Sequence, residues 1–305
     1  MKKLVINTFI IIGGLLLSTF IWHVFIKDYD YKISFTEQTA PGTIYQGIQD
    51  WNNLLIKRGD LEVIQSTHNK FSSINQTVKL GDSIITFDWT VLSLNDSITE
   101  TTVKILDKKH SISNRLASIF SNPPIREILI SKVSQFKKGL DSHLKNHKVQ
   151  IIGESQMPEN FYAYISIKSN LAEKAQNMIA SNGGILEILR QNNFEILGKP
   201  TLEITSWDIE KEELIFNFMF PIKEKDTLPY LGRIKFKKLA SQKAIKANYF
   251  GNYRTSDRAW FALLEYASRN KLNIEKLPIE FFYNNPMLGG NELEWKAEIF
   301  LPLKE

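Results

Sequence analysis

The 305-residue chain contains no cysteine. Disulfide staples, thiolate catalysis and cysteine-ligated metal are thereby excluded, while the compartment stays open. A second absence says more. From Leu4 to Ile26 there is no charged residue, and the only polar side chains are Asn7, Thr8, Ser18, Thr19 and His23. A helix of that length reaches about 35 Å, enough for a hydrocarbon core of about 30 Å. The rival reading is a cleaved signal peptide, whose apolar core is shorter and ends in small residues; this run ends in Ile21-Trp22-His23-Val24-Phe25-Ile26. Trp22 suits an interfacial anchor. We read an uncleaved transmembrane anchor over 1–28. Lys2 and Lys3 precede the span while Lys27 and Lys32 follow it, a small bias that favours a cytoplasmic N-terminus and extracytoplasmic domains.

Also missing are a Gly-x-Ser-x-Gly elbow, a Walker loop and any basic run longer than two residues. Residues 1–150 hold 18 Lys+Arg against 13 Asp+Glu, and 151–305 hold 20 of each. The excess reads as solvated helix faces rather than a nucleic-acid surface, and a helix-turn-helix would need a compact helical unit of its own. With 43% hydrophobic and 23% charged residues the chain is ordinary globular protein, long enough for two domains.

The first domain is expected over 29–148. Tyr31-Lys-Ile33-Ser-Phe35 alternates as a strand does, and Ile44, Tyr45, Ile48 and Trp51 recur at helical spacing after the Ala40-Pro41-Gly42 turn. Strand-like runs follow at 61–66, 76–80, 83–94 and 97–106. Ile125, Leu129, Val133, Phe136, Leu140 and Leu144 then form one stripe of a long helix behind Pro123-Pro124. His143 and His147 have the spacing of helical metal ligands, but no acidic partner motif accompanies them and no metal is expected. This order resembles the START/polyketide-cyclase-like (SRPBCC) superfamily, most clearly over Phe35 to Trp51. The resemblance implies a helix-grip fold, in which a curved sheet wraps the last helix around a cavity for an apolar ligand.

From Asn160 on, the sequence repeats itself. The first copy runs from the strand Phe161–Ile167, through a helix capped by Asn170 and Glu173, to Lys199-Pro200 and the strand Leu214–Ile222. The second runs from Ala244–Phe250, through a helix carrying Trp260, Leu263, Leu264 and Ala267, to Leu277-Pro278-Ile279-Glu280-Phe281 and Trp295–Leu303. The prolines are three residues further apart in the second copy, and the difference falls in the loop from Asn284 to Asn291. Tandem β-α-β-β units imply an α+β domain with pseudo-twofold symmetry over 158–305, joined to the first through the polar stretch Gly153 to Pro158.

Tyr249-Phe-Gly251-Asn-Tyr253, Ala259-Trp260-x-x-Leu263-Leu264, Pro278-x-Glu280-x-x-x-Asn284-x-Pro286 and Ala297-Glu298-x-x-x-Pro302 resemble the gyrase-inhibitor-like (GyrI-like) family, a tandem SHS2-type fold that also serves as the AraC-type effector-binding module. The resemblance implies a ligand in the groove between the halves, among aromatics, with an acid of the final strand at its base. The matching acid is Glu298, and Asn217 stands at its counterpart in the first copy. Tyr249, Trp260, Phe282, Trp295 and Trp207 are the candidate aromatic ligand contacts. Family members often have a tyrosine where Phe282 stands, and phenylalanine has no hydroxyl to donate.

The reading is a membrane-anchored binding protein for a small cationic aromatic or apolar molecule, which a carboxylate among aromatics would favour. No cofactor, metal or nucleic-acid partner is expected. A GyrI-like hydrolase of small electrophilic compounds is one alternative, and an envelope lipid-binding protein is another.

Overall fold

The computed structural model describes residues 2–58, 62–95 and 97–304, with the backbone alone for 2–5. The charges of Lys2 and Lys3, and Leu61 at the head of the strand-like run 61–66, lie outside the described side chains. The chain divides into two compact units: Met1–Gln38, Ile44–Leu94 and Ile98–Leu140 form the first, and Thr39–Thr43, Asn95–Ser97 and Asp141–Glu305 the second.

The first unit opens with helix α1 (Lys2–Ile21), which continues as a π-helical stretch, Trp22–Ile26. The segment Ile6–Ile26 is long and apolar enough to cross a membrane, and its side chains are almost all exposed. Strand β1 (Tyr31–Glu37) and helix α2 (Pro41–Arg58) follow. A meander comes next, of β2 (Glu62–Asn69), β3 (Ser73–Leu80), β4 (Ser83–Ser93) and β5 (Thr99–Asp107), and then helices α3 (Ser111–Phe120) and α4 (Pro124–Lys145). The strands form one antiparallel sheet in the order β1-β5-β4-β3-β2. Side chains alternate across a strand, and β5 shows it: every second residue from Thr99 to Asp107 is buried.

The expected stripe of α4 supplies the buried side chains Leu129, Val133, Phe136 and Leu140. The Phe136 ring lies 5.3 Å from Trp89, 5.6 Å from Trp51 and 6.3 Å from Phe35. Aromatic rings thus fill part of the core between α4, α2 and the sheet. The sequence does not predict helix α3. Its apolar residues do not face the core, so core periodicity does not reveal it.

The second unit is an eight-stranded antiparallel sheet with two helices. The first copy consists of β7 (Asn160–Asn170), α5 (Lys174–Gln191), β8 (Thr201–Asp208) and β9 (Glu213–Pro221). The second consists of β11 (Lys243–Gly251), α6 (Asp257–Arg269), β12 (Ile279–Phe282) and β13 (Lys296–Pro302). Strands β6 (His147–Gln156) and β10 (Lys235–Leu239) flank them, giving the order β10-β7-β9-β8-β12-β13-β11-β6. Read outward from the β8/β12 junction, the two halves have the same order. The expected cap lies ahead of the helix: the Asn170 side chain accepts from the Glu173 N–H at 2.8 Å across the turn 171–173, and α5 begins only at Lys174, without a side-chain cap.

The polar segment expected to separate the domains is instead strand β6, paired with β11 from Gln156↔Lys243 to His147↔Gly251. An edge strand exposes one face, so alternation such as Val149-Gln-Ile151 reads as loop when Gly153-Glu-Ser-Gln follows it.

Candidate functional site

The second unit holds a cavity of about 820 Å³, within the range of small-molecule sites. Met178, Ile179 and Leu186 of α5 form one wall, and Phe218 and Phe220 of β9 with Phe282 of β12 form the floor. The opposite wall is Tyr253, Trp295 and the loop residues Asn284 to Met287. That loop is the one in which the second copy is longer, so the asymmetry between the copies contributes to the cavity lining. Tyr253 is held on both sides: its hydroxyl donates to the Lys296 carbonyl at 2.8 Å and accepts from the Asn284 N–H at 3.1 Å. Its ring lies 4.7 Å from Phe282 and 6.1 Å from Trp295, which makes a preorganised aromatic corner.

Charges at the cavity are Arg190, Lys199, Arg254 and Glu292. Glu292 accepts from the Asn252 amide at 2.7 Å. The three cations pair with no carboxylate among the described residues. The rim is therefore net positive.

Of the six candidate ligand contacts, Phe282 and Trp295 line this cavity. Glu298 does not, and neither do Tyr249, Trp260 and Trp207. Glu298 lies on β13 in a network of its own: Oε1 accepts from Lys246 at 2.9 Å and Lys296 at 2.8 Å, and Oε2 accepts from the Tyr283 hydroxyl at 2.8 Å. Burial pushes this carboxyl up, but the bonds from Lys296, Lys246 and Tyr283 outweigh it and hold it below the usual range. Burial first, then the bond to Glu298, drives the Tyr283 hydroxyl up to about 12. The neighbouring Tyr283 does carry a hydroxyl, but it is committed to Glu298 and does not line the cavity. The counterpart Asn217 donates to Glu203 at 2.7 Å, and Lys237 closes on that carboxylate at 2.6 and 2.9 Å.

Tyr249 is buried, and its hydroxyl donates to the Asn252 carbonyl at 2.8 Å. Trp260 is fully buried, with Trp207 edge-on at 5.2 Å. The Trp260 indole donates to Glu280 Oε1 at 2.6 Å, and Lys174 donates to the same oxygen at 2.9 Å and to the Ser256 hydroxyl at 2.6 Å. Lys174 and Glu280 are both completely buried. This pair ties the starts of α5 and α6 to the floor strand β12, two residues from Phe282. Lys174 carried one sequence signal: it sits in a first helical turn that has no acid, where the helix dipole disfavours a cation.

His143 and His147 do approach, with ring centroids 4.9 Å apart, but Arg258 Nε donates to His143 Nε2 at 3.1 Å and occupies that lone pair. Among the described residues no group of three or more acidic or imidazole side chains could hold a metal. Burial, then the Arg258 charge, lowers His143 to about 4, and the same causes lower His147. Between about pH 6.5 and 4 the unfolded chain therefore binds protons that the folded one does not, so stability falls as pH falls through that window. Allowing for partial exposure, His143 should account for about 1–3 kcal/mol of that loss. Urea unfolding at pH 7 and pH 4 checks this, and His143→Gln should flatten the dependence.

No family model and no curated protein matches the chain. It is similar to the solved EcmrR C-terminal domain (14% identity over 52% of this chain and 98% of that one, TM-score 0.43). It is also similar to SAV2435, solved bound to tetraphenylphosphonium (14% identity, 52% and 94%, TM-score 0.33). A third similar structure is the di-domain ARO/CYC StfQ from the steffimycin biosynthetic pathway (10% identity, 90% and 85%, TM-score 0.25).

Proposed function

We propose that this chain is a membrane-anchored binding protein, with α1 crossing a bilayer and the second unit, a GyrI-like domain, holding a small amphipathic molecule in its cavity. The observation that carries the reading is the 820 Å³ cavity, with an aromatic corner drawn from the second copy and an apolar wall from the first. A flat apolar body would stack on Tyr253, Phe282 and Trp295. An anionic or hydrogen-bond-accepting end suits the rim of Arg190, Lys199 and Arg254. Choice of a cation through Glu298 is not supported, because both of its oxygens already hold donors. Binding is favoured over hydrolysis: Phe282 has no hydroxyl, and that of Tyr253 is committed to backbone groups. In the first unit Phe136 of α4 packs on Trp51 and Trp89, which favours a filled core over the lipid cavity of the alternative reading.

Photo-crosslinking tests the site directly. A photoreactive aromatic carboxylate irradiated with the full chain should label peptides that contain Met178 or Met287. Combined Phe282→Ala and Trp295→Ala substitution should weaken binding at least about ten-fold, near 1.4 kcal/mol. Labelling that is unchanged by these substitutions would exclude the cavity. Preferential labelling of 296–302 by a cationic aromatic would place the ligand at Glu298 after all.

A further inference from the structure

Helix α3 is built inside out. Ile112, Leu116, Ile119 and Phe120 follow the i, i+4, i+7, i+8 spacing of one helix face, yet that face is turned to solvent: they are 53%, 37%, 43% and 83% exposed. Apart from the exposed Ser113, the polar residues face the protein. Ser111 and Arg115 donate to Asp30 at 2.5 and 3.0 Å, Asn114 is buried, and Ser118 meets His23 at 3.4 Å. A helix at a water-facing surface reverses this arrangement.

What covers the apolar face follows from the polar one. Arg115 also donates to the Val24 carbonyl at 3.3 Å, and His23 and Val24 both belong to the last turns of the apolar N-terminal segment. That segment's own end is exposed and apolar, with Trp22 at 48%, Phe25 at 62% and Ile26 at 65%. The outward face of α3 is thus continuous with the foot of the proposed span. Lys108 and Lys109 border the same open groove as Ile112, Leu116 and Phe120, a basic edge suited to anionic head groups.

We infer that α3 is a second membrane contact, an interfacial helix lying in the head-group region of the bilayer that α1 crosses. The inference rests on the proposal that α1 is a membrane anchor. Side chains of such a helix reach about 5–10 Å into the head-group and acyl boundary. The contact fixes the first unit against the lipid surface at two points, where a lone span would leave it free to swing.

Because the chain has no cysteine, single labels can be placed without background. Leu16→Cys, Phe120→Cys and Gln65→Cys, the last on the far edge strand β2 of the same unit, are each labelled with an environment-sensitive fluorophore. The full chain is then reconstituted in phosphatidylcholine–phosphatidylglycerol vesicles that carry lipid-borne quenchers. The labels at Leu16 and Phe120 should be quenched by the lipids, that at Gln65 only by a water-soluble quencher. Adding Leu116→Glu to the Phe120→Cys chain should shift its label toward the aqueous behaviour. If the Phe120 label behaves like that at Gln65 while Leu16 is quenched, the anchor stands and the α3 inference is overturned. If Leu16 is not quenched either, the anchor reading fails and the inference with it.

Discussion

Replacing Lys174 with methionine should destabilise the second unit by about 3–5 kcal/mol, the cost of stranding one member of a buried ion pair. In the native chain Glu280 Oε1 receives both Lys174 and the Trp260 indole, whereas Oε2 has no protein partner among the described residues. Lys174 Nζ also lies 4.5 Å from the centre of the Trp260 ring. Methionine keeps most of the volume but leaves a fully buried carboxylate with one indole N–H. At about 2–4 °C per kcal/mol for a unit of this size, thermal unfolding of the full chain in detergent should resolve the loss easily. The combined Lys174→Met and Glu280→Leu chain should recover most of it, because the cost lies in the unmatched charge and not in the absence of the pair. Recovery would show that the pair contributes little net stability. A single variant as stable as the native chain would mean that water reaches Glu280 and that the pair is not buried in solution. Lys174 neighbours Ala175 and Met178 on α5, both in the cavity wall, so labelling by the photoreactive carboxylate should fall in the same variant and return in the double one.

Much of the fold was legible because burial imposes a period. Five strands and two helices of the first unit follow the spacing of Ile33, Ile44, Trp51, Phe136 and their neighbours, and the repeat in the second unit follows its prolines. Elements whose burial is one-sided or inverted were not legible. Strand β6 is an edge with a polar outer face, β10 is the lysine-rich run Lys235-Phe-Lys-Lys-Leu239, and α3 points its apolar side outward. The site was partly legible for a related reason. Phe282 was placed by its distance from the Pro278-x-Glu280 motif, and Trp295 by its aromatic side chain next to the final strand; both line the cavity. Glu298 occupies the expected strand too, but its surroundings depend on Lys246, which is distant in sequence, and on Tyr283, one residue past the expected place. Glu280 stood in plain sight inside Pro278-x-Glu280; its partner Lys174 lies in the other copy, and a single sequence contains nothing that links them.

The substitution Asp30→Leu should produce a loss of similar size in the first unit, about 3–5 kcal/mol, and there it bears on the anchor. The Asp30 side chain is fully buried. Its Oδ1 receives the Ser111 hydroxyl and Arg115 Nε, and its Oδ2 receives the Asp107 N–H at 2.9 Å. Lys27 Nζ donates to the Asp30 backbone carbonyl at 3.3 Å, and burial, then the Arg115 charge, already lowers this ammonium below the usual lysine range. Leucine would leave Arg115 and Lys27 as two nearby buried cations with no carboxylate between them, and would also orphan the Asp107 N–H. Asparagine keeps the shape and an acceptor but not the charge, so Asp30→Asn should cost less, about 1.5–3 kcal/mol, the range of one charge-assisted hydrogen bond. Because Ser111 and Arg115 form the inward face of α3, the helix should loosen first. Amide exchange of 111–120 should accelerate in both variants, more in the leucine one, while amides of β8 and β12 in the second unit keep their protection. The double Asp30→Leu and Arg115→Met chain separates charge from packing. If it restores protection, the unmatched guanidinium was the source of the loss. If α3 stays open in the double variant, the Asp30 carboxylate itself holds the helix beside the foot of α1, and no apolar replacement can take over that role.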